Sequence, residues 1–88
     1  MSLEEPTAEE VEVNFAELVT GLDTSDNTAQ WPFCFIYGNN IRRDFQMIWA
    51  PSPEEATLTA NQLTQKANDI AVSLGYRPLW RWKAGDCS

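Results

Sequence analysis

The residues most capable of chemistry stand near the end of the chain. Arg77, Trp80, Arg81, Trp82 and Lys83 interleave large rings with cations, and a second basic pair, Arg42-Arg43, lies in mid-chain. Rings that stack bases, set beside cations that meet phosphates, are what a single-stranded nucleic-acid surface needs. The plainer reading of the same run is a strand that buries its tryptophans and turns its basic side to water.

A second constellation is acidic. Glu9, Glu10, Glu12, Glu17, Asp23 and Asp26 crowd the first third of the chain. A dense negative surface speeds and orients association with a basic partner. Small acidic inhibitors that imitate nucleic acid use charge this way, and the analogy extends to charge alone. The plainer reading is a solvated helix face. Internal neutralisation of Arg77, Arg81 and Lys83 is a third use, worth about 0–1 kcal/mol per exposed pair.

Enzymatic groups are sparse. There is no histidine, so the commonest general base is missing. The four glycines, at 21, 38, 75 and 85, are single and form no phosphate loop. The carboxylate pairs Glu9/Glu10 and Glu54/Glu55 fall in helix first turns, where they favour the dipole. Asp23-Thr24-Ser25-Asp26-Asn27 lacks the alternating acids, glycine and closing glutamate of a calcium loop. No catalytic residue, metal site or cofactor is expected. Cys34 sits inside an apolar run and Cys87 next to the last residue. For an intracellular protein the expectation is a buried small hydrophobe and a free thiol. A disulfide is the lesser alternative, and no spacing fits zinc.

Charge is unevenly placed. The chain has 88 residues and a net charge of −7. Residues 1–30 carry eight acids and no base, whereas residues 31–88 carry five acids and six bases. A −7 molecule repels phosphates, which weighs against nucleic acid as partner. The length suits one domain, with stability on the order of 5 kcal/mol. No apolar run is long enough for a membrane span. The opening Met1-Ser2-Leu3-Glu4-Glu5-Pro6 is not expected to be a secretory signal, nor the ending a prenylation site. A cytoplasmic location is expected.

The elements that must position these residues follow from spacing. Residues 1–6 read as a disordered lead. Thr7-Ala8-Glu9-Glu10 has the form of a capping box, and Val11, Phe15, Leu18, Val19 and Leu22 then share a helix face over 7–22. The competing reading is a strand, since Val11 to Phe15 also alternates. Residues 23–30 read as a loop. Trp31 to Tyr37 reads as a strand with Trp31, Phe33, Phe35 and Tyr37 on one face, and Asp44 to Trp49 as a second with Phe45, Met47 and Trp49 on one face. Keeping all these rings together pairs Phe35 with Phe45 and requires an odd-length loop. Pairing Phe35 with Asp44 would put polar groups on the aromatic face.

Ser52-Pro53-Glu54-Glu55 is the strongest local signal: a serine N-cap, proline at the first helical position and glutamate at the third. Ala56, Leu63, Ala67, Ile70, Ala71 and Leu74 recur at helical spacing, and Gly75 can end the helix, giving 53–74. Residues 77–83 then read as a third strand. The result is a single α+β domain in the order α-β-β-α-β, with residues 31–83 as a ββαβ unit. Its three-stranded, mainly antiparallel sheet has strand order 2-1-3 and helices on one face. The expected function is a non-catalytic protein-interaction or regulatory module, monomer or homodimer, whose acidic N-terminal surface meets a basic partner. The alternative is a single-strand nucleic-acid binder using Arg42, Arg43, Arg77, Trp80, Arg81 and Trp82. A weaker third is a small-ligand pocket among exposed aromatics. Burial of Trp80 and Trp82 under the second helix would remove the alternative as drawn.

Overall fold

The computed structural model describes residues 13–20 and 29–87. The longest element is α2, Pro53–Ser73. Ser52 is its N-cap, with its hydroxyl accepting from the Glu55 N–H at 3.3 Å and Pro53 in the first turn. At the other end the Gly75 N–H donates to Val72 O at 3.0 Å and the Tyr76 N–H to Ala71 O at 2.9 Å. Those two bonds form a Schellman motif, and it needs the left-handed backbone that Gly75 adopts at φ +89°. The side that faces the sheet is nearly all alanine: Ala56, Ala60, Ala67 and Ala71 are buried around Leu63. Small side chains let the helix axis approach the rings beneath it. Leu74 does not join that stripe as expected. It is the C-cap residue and is exposed.

Three strands make one antiparallel sheet in the order β2-β1-β3: β1 Ala29–Tyr37, β2 Arg42–Ala50 and β3 Trp80–Ala84. Strand order and element order are those expected from the sequence. The hairpin register is not. Phe35 pairs with Asp44 and Phe33 with Gln46, across a four-residue loop, Gly38 to Ile41. Gly38 at φ +57° and Asn40 at φ +60° turn the chain, and the Ile41 N–H closes on Tyr37 O at 3.0 Å. Ile41 folds against the core. The polar partners are tolerated because β2 is an edge strand. Asp44 keeps contact with water and holds Arg42 at 3.3 Å. Lower in the sheet the same register sets Trp31 against Ile48 and Ala29 against Ala50.

A short helix, α1, spans Phe15–Thr20. Its start lies at Asn14, whose Oδ1 accepts from the Glu17 N–H at 3.1 Å. Val13 and Asn14 precede the helix and are not part of it. A continuous helix over 7–22 is therefore not what forms at these two positions. The capping box at Thr7, the lead at 1–6 and the loop at 23–28 lie outside the described residues. Val13 and Phe15 are both buried, though two apart, because the chain turns between them, with the Phe15 N–H donating to Val13 O at 3.0 Å. Phe15 stacks on Phe35 at 4.4 Å and meets the edge of Trp80 at 4.9 Å. It joins Phe33, Phe35, Tyr37, Ile48 and Leu63 in a single core between sheet and helices.

Candidate functional site

The register decides what each face of the sheet carries. The helix face takes Phe33, Phe35 and Tyr37 from β1, Ile48 and Ala50 from β2, and Trp80 and Trp82 from β3. Trp80 is buried, at the edge of Tyr37 at 5.4 Å. Its backbone is clasped by Asn68 of α2: the Trp80 N–H donates to Asn68 Oδ1 at 2.7 Å, and Asn68 Nδ2 donates to Trp80 O at 3.2 Å. Trp82 is half-buried against Phe33, and its indole N–H donates to Asn61 Oδ1 on α2 at 2.7 Å. Both rings are engaged under or beside the helix. Trp80 is therefore closed to a stacking base, while Trp82 keeps part of its ring at the surface. The Trp80 indole N–H is buried without a hydrogen-bond partner.

The opposite face carries Pro32, Cys34 and Ile36 of β1, Arg43, Phe45, Met47 and Trp49 of β2, and Arg81 and Lys83 of β3. No described helix covers it. Its centre is closed by the end of the chain. After β3 the tail returns to β1, and Cys87 forms a disulfide with Cys34, at a Cα–Cα distance of 5.1 Å. This corrects the expectation of two free thiols. Sequence spacing could not reveal the pair, since the two cysteines have a sequence separation of 53 and only the tail's return joins them. Arg43 Nη1 donates to Cys87 O at 3.2 Å and secures the tail. Arg81 donates to Gly38 O. Toward β2 the face opens: Phe45 is 45% exposed and Trp49 43%. Met47 lies between them, half-buried.

The residues singled out from the sequence are thus redistributed. Arg42 and Arg43 point to opposite faces, Arg42 to its ion pair with Asp44 and Arg43 to the open face. Arg77 is exposed in the segment before β3, where its carbonyl accepts from the Tyr37 hydroxyl at 2.7 Å. Arg81 shares the open face with Arg43. Of the acidic set, Glu17 is exposed on α1, within 3.5 Å of Asn14 Nδ2. Glu9, Glu10, Glu12, Asp23 and Asp26 lie outside the described residues. The sequence reading missed Phe45, Met47 and Trp49 as surface groups. Their alternation is visible in the sequence, but alternation alone fits the core face equally well. A cleft where α1 meets β2 is lined by Asn14, Arg42, Asp44 and Gln46 and is polar. Among the described residues no three acidic, cysteine or histidine side chains gather as metal ligands, and no helix is long and apolar enough to cross a membrane.

No family model matches the chain, and neither a curated protein nor a solved structure is detectably similar to it.

Proposed function

We propose that the chain is a small non-catalytic protein-interaction or regulatory module, and that the open face of its sheet is a contact surface. One observation carries this reading: Phe45 and Trp49 stand about half exposed on the face that the helices leave bare. Two large rings on one strand face, with Met47 between them, are costly in water, and their burial by a partner would recover on the order of 25 cal/mol for each Å² covered. Aromatic residues of this kind anchor interfaces. The cations on the same face, Arg43, Arg81 and Lys83, favour a partner segment that offers acidic groups beside an apolar strip. The acidic third of the sequence, with Glu9, Glu10, Glu12, Glu17, Asp23 and Asp26, carries the charge that would suit a second, basic partner.

A nucleic-acid reading survives in altered form. Phe45 and Trp49, with Arg43 and Arg81 near them, have the composition of a stacking surface. The net charge of −7 opposes it. The disulfide supports an oxidising compartment rather than the cytoplasm first expected.

An affinity pull-down from the native host, run in parallel on three proteins, tests the reading. The wild type is compared with Phe45→Ser/Trp49→Ser and with a variant carrying glutamine at positions 9, 10, 12 and 17. Loss of a partner in the first variant supports the open face, and loss in the second supports the acidic surface. Equal recovery in all three would remove both. Titration with a single-stranded oligonucleotide across salt covers the nucleic-acid reading, because a phosphate contact must weaken as salt rises.

A further inference from the structure

We propose that the outer edge of β2 pairs with the same edge of a second copy, antiparallel about a two-fold axis at Met47, to make a six-stranded sheet. This goes beyond the reading above, since it needs no other protein.

The two edges of the sheet are built differently. β3 is five residues long, and the side chain of Asn68 occupies both backbone groups of Trp80. That edge is short and capped, which discourages pairing. β2 is nine residues long. The direction of its backbone groups follows from the bonds around it. The Gly38 N–H donates to Leu79 O at 3.1 Å and the Gly85 N–H to Pro32 O at 2.9 Å. Even-numbered positions along β1 therefore address β3. Backbone groups alternate sides along a strand, so odd positions of β1 address β2. Tyr37 pairs with Arg42, so even positions of β2 address β1. The outward row belongs to Arg43, Phe45, Met47 and Trp49. Among the described residues no group bonds to the backbone of that row.

The same four residues point their side chains to the open face, and the row is self-complementary. Centred on Met47, antiparallel pairing sets Phe45 opposite Trp49 of the second copy, twice. Cross-strand aromatic pairs are among the favourable ones. Arg43 faces Pro51 of the second copy. On the helix side Gln46 faces Ile48 and Asp44 faces Ala50, so no like charges are opposed. The symmetry is that of an isologous dimer, in which one patch serves both copies. Both open faces then lie on one side, and the two ring pairs flank the two Met47 side chains to make one apolar strip at the seam.

Sedimentation of the chain alone, from micromolar to sub-millimolar concentration, tests the proposal. The expected species is a dimer. Met47→Lys places two ammonium groups face to face at the axis, and the expected result is a monomer with an unchanged far-UV circular dichroism spectrum. A cysteine scan fixes the register and does not depend on that variant folding. The two Met47 Cα atoms would stand about 5.5 Å apart, within disulfide reach. The two Phe45 Cα atoms would stand about 14 Å apart along the strand, from a rise of about 3.4 Å per residue. Met47→Cys should therefore cross-link between copies under mild oxidation, and Phe45→Cys should not. A monomer at every concentration would overturn the proposal. So would a dimer that persists in Met47→Lys, or cross-linking as ready at position 45 as at 47.

Discussion

The two faces of this sheet are made of similar residues and put to different use. On the helix side Phe33, Phe35, Tyr37 and Trp80 are each 4% exposed or less, locked against Phe15 and a line of alanines. On the other side Phe45 and Trp49 remain about half in water, while Cys34 and Ile36 are buried and Cys34 is tied to the tail by the disulfide. The central strand is thus buried on both sides, and the exposure is concentrated on β2. Hydrophobicity alone does not sort side chains into core and surface here. Register and the reach of the covering elements do. Rings left outside a finished core are available to a partner.

The comparison can be broken by substitution, beginning with the largest effect. Phe35→Ala removes a ring that is fully buried and stacked on Phe15. The expected loss is about 3–5 kcal/mol in denaturant unfolding, comparable with the whole stability of a domain this small. Phe45→Ala on the open face should stay within about 1 kcal/mol. Equal losses would mean that the two faces are not different in kind.

The tail that seals the open face comes next. Replacing Cys34 and Cys87 with alanine removes a cross-link with a sequence separation of 53. The expected cost is about 2–4 kcal/mol, with faster amide exchange at residues 85–87. Unchanged stability would show that the tail contributes nothing to the centre of that face.

On the helix side, Asn68→Ala leaves both backbone groups of Trp80 without their partner. A loss of about 1–3 kcal/mol is expected, with exchange at the Trp80 amide rising most. Smallest is Ser52→Ala, which removes the cap of α2 and should cost about 1 kcal/mol. A loss well above that would assign Ser52 a role beyond capping.

Much of the helix side was legible in the sequence. The Ser52-Pro53 start, the Gly75 stop and the alternation of Trp31 to Tyr37 each have a local physical cause, and each appears in the structure. The strand order also followed, because a helix crossing back after a hairpin leaves few places for β3. The hairpin register was not legible. It depends on a four-residue loop with two left-handed residues, and gathering all rings onto one face holds only where every ring belongs to the core. Asp44 and Gln46 on the helix face show that an edge strand can place polar groups there beside an open polar cleft. The disulfide escaped for a related reason: only the tertiary path of the tail brings Cys87 to Cys34. What escaped the sequence reading is thus what builds the candidate surface.

The central claim is that Phe45 and Trp49 serve contact rather than core. The most direct measurement is the Phe45→Ser/Trp49→Ser variant, read for stability and partner retention in the same preparation. The account predicts an unfolding free energy within about 1 kcal/mol of wild type, together with loss of the partner recovered by the wild-type chain. A core-sized loss of stability, or an equally stable variant that keeps its partner, would contradict it.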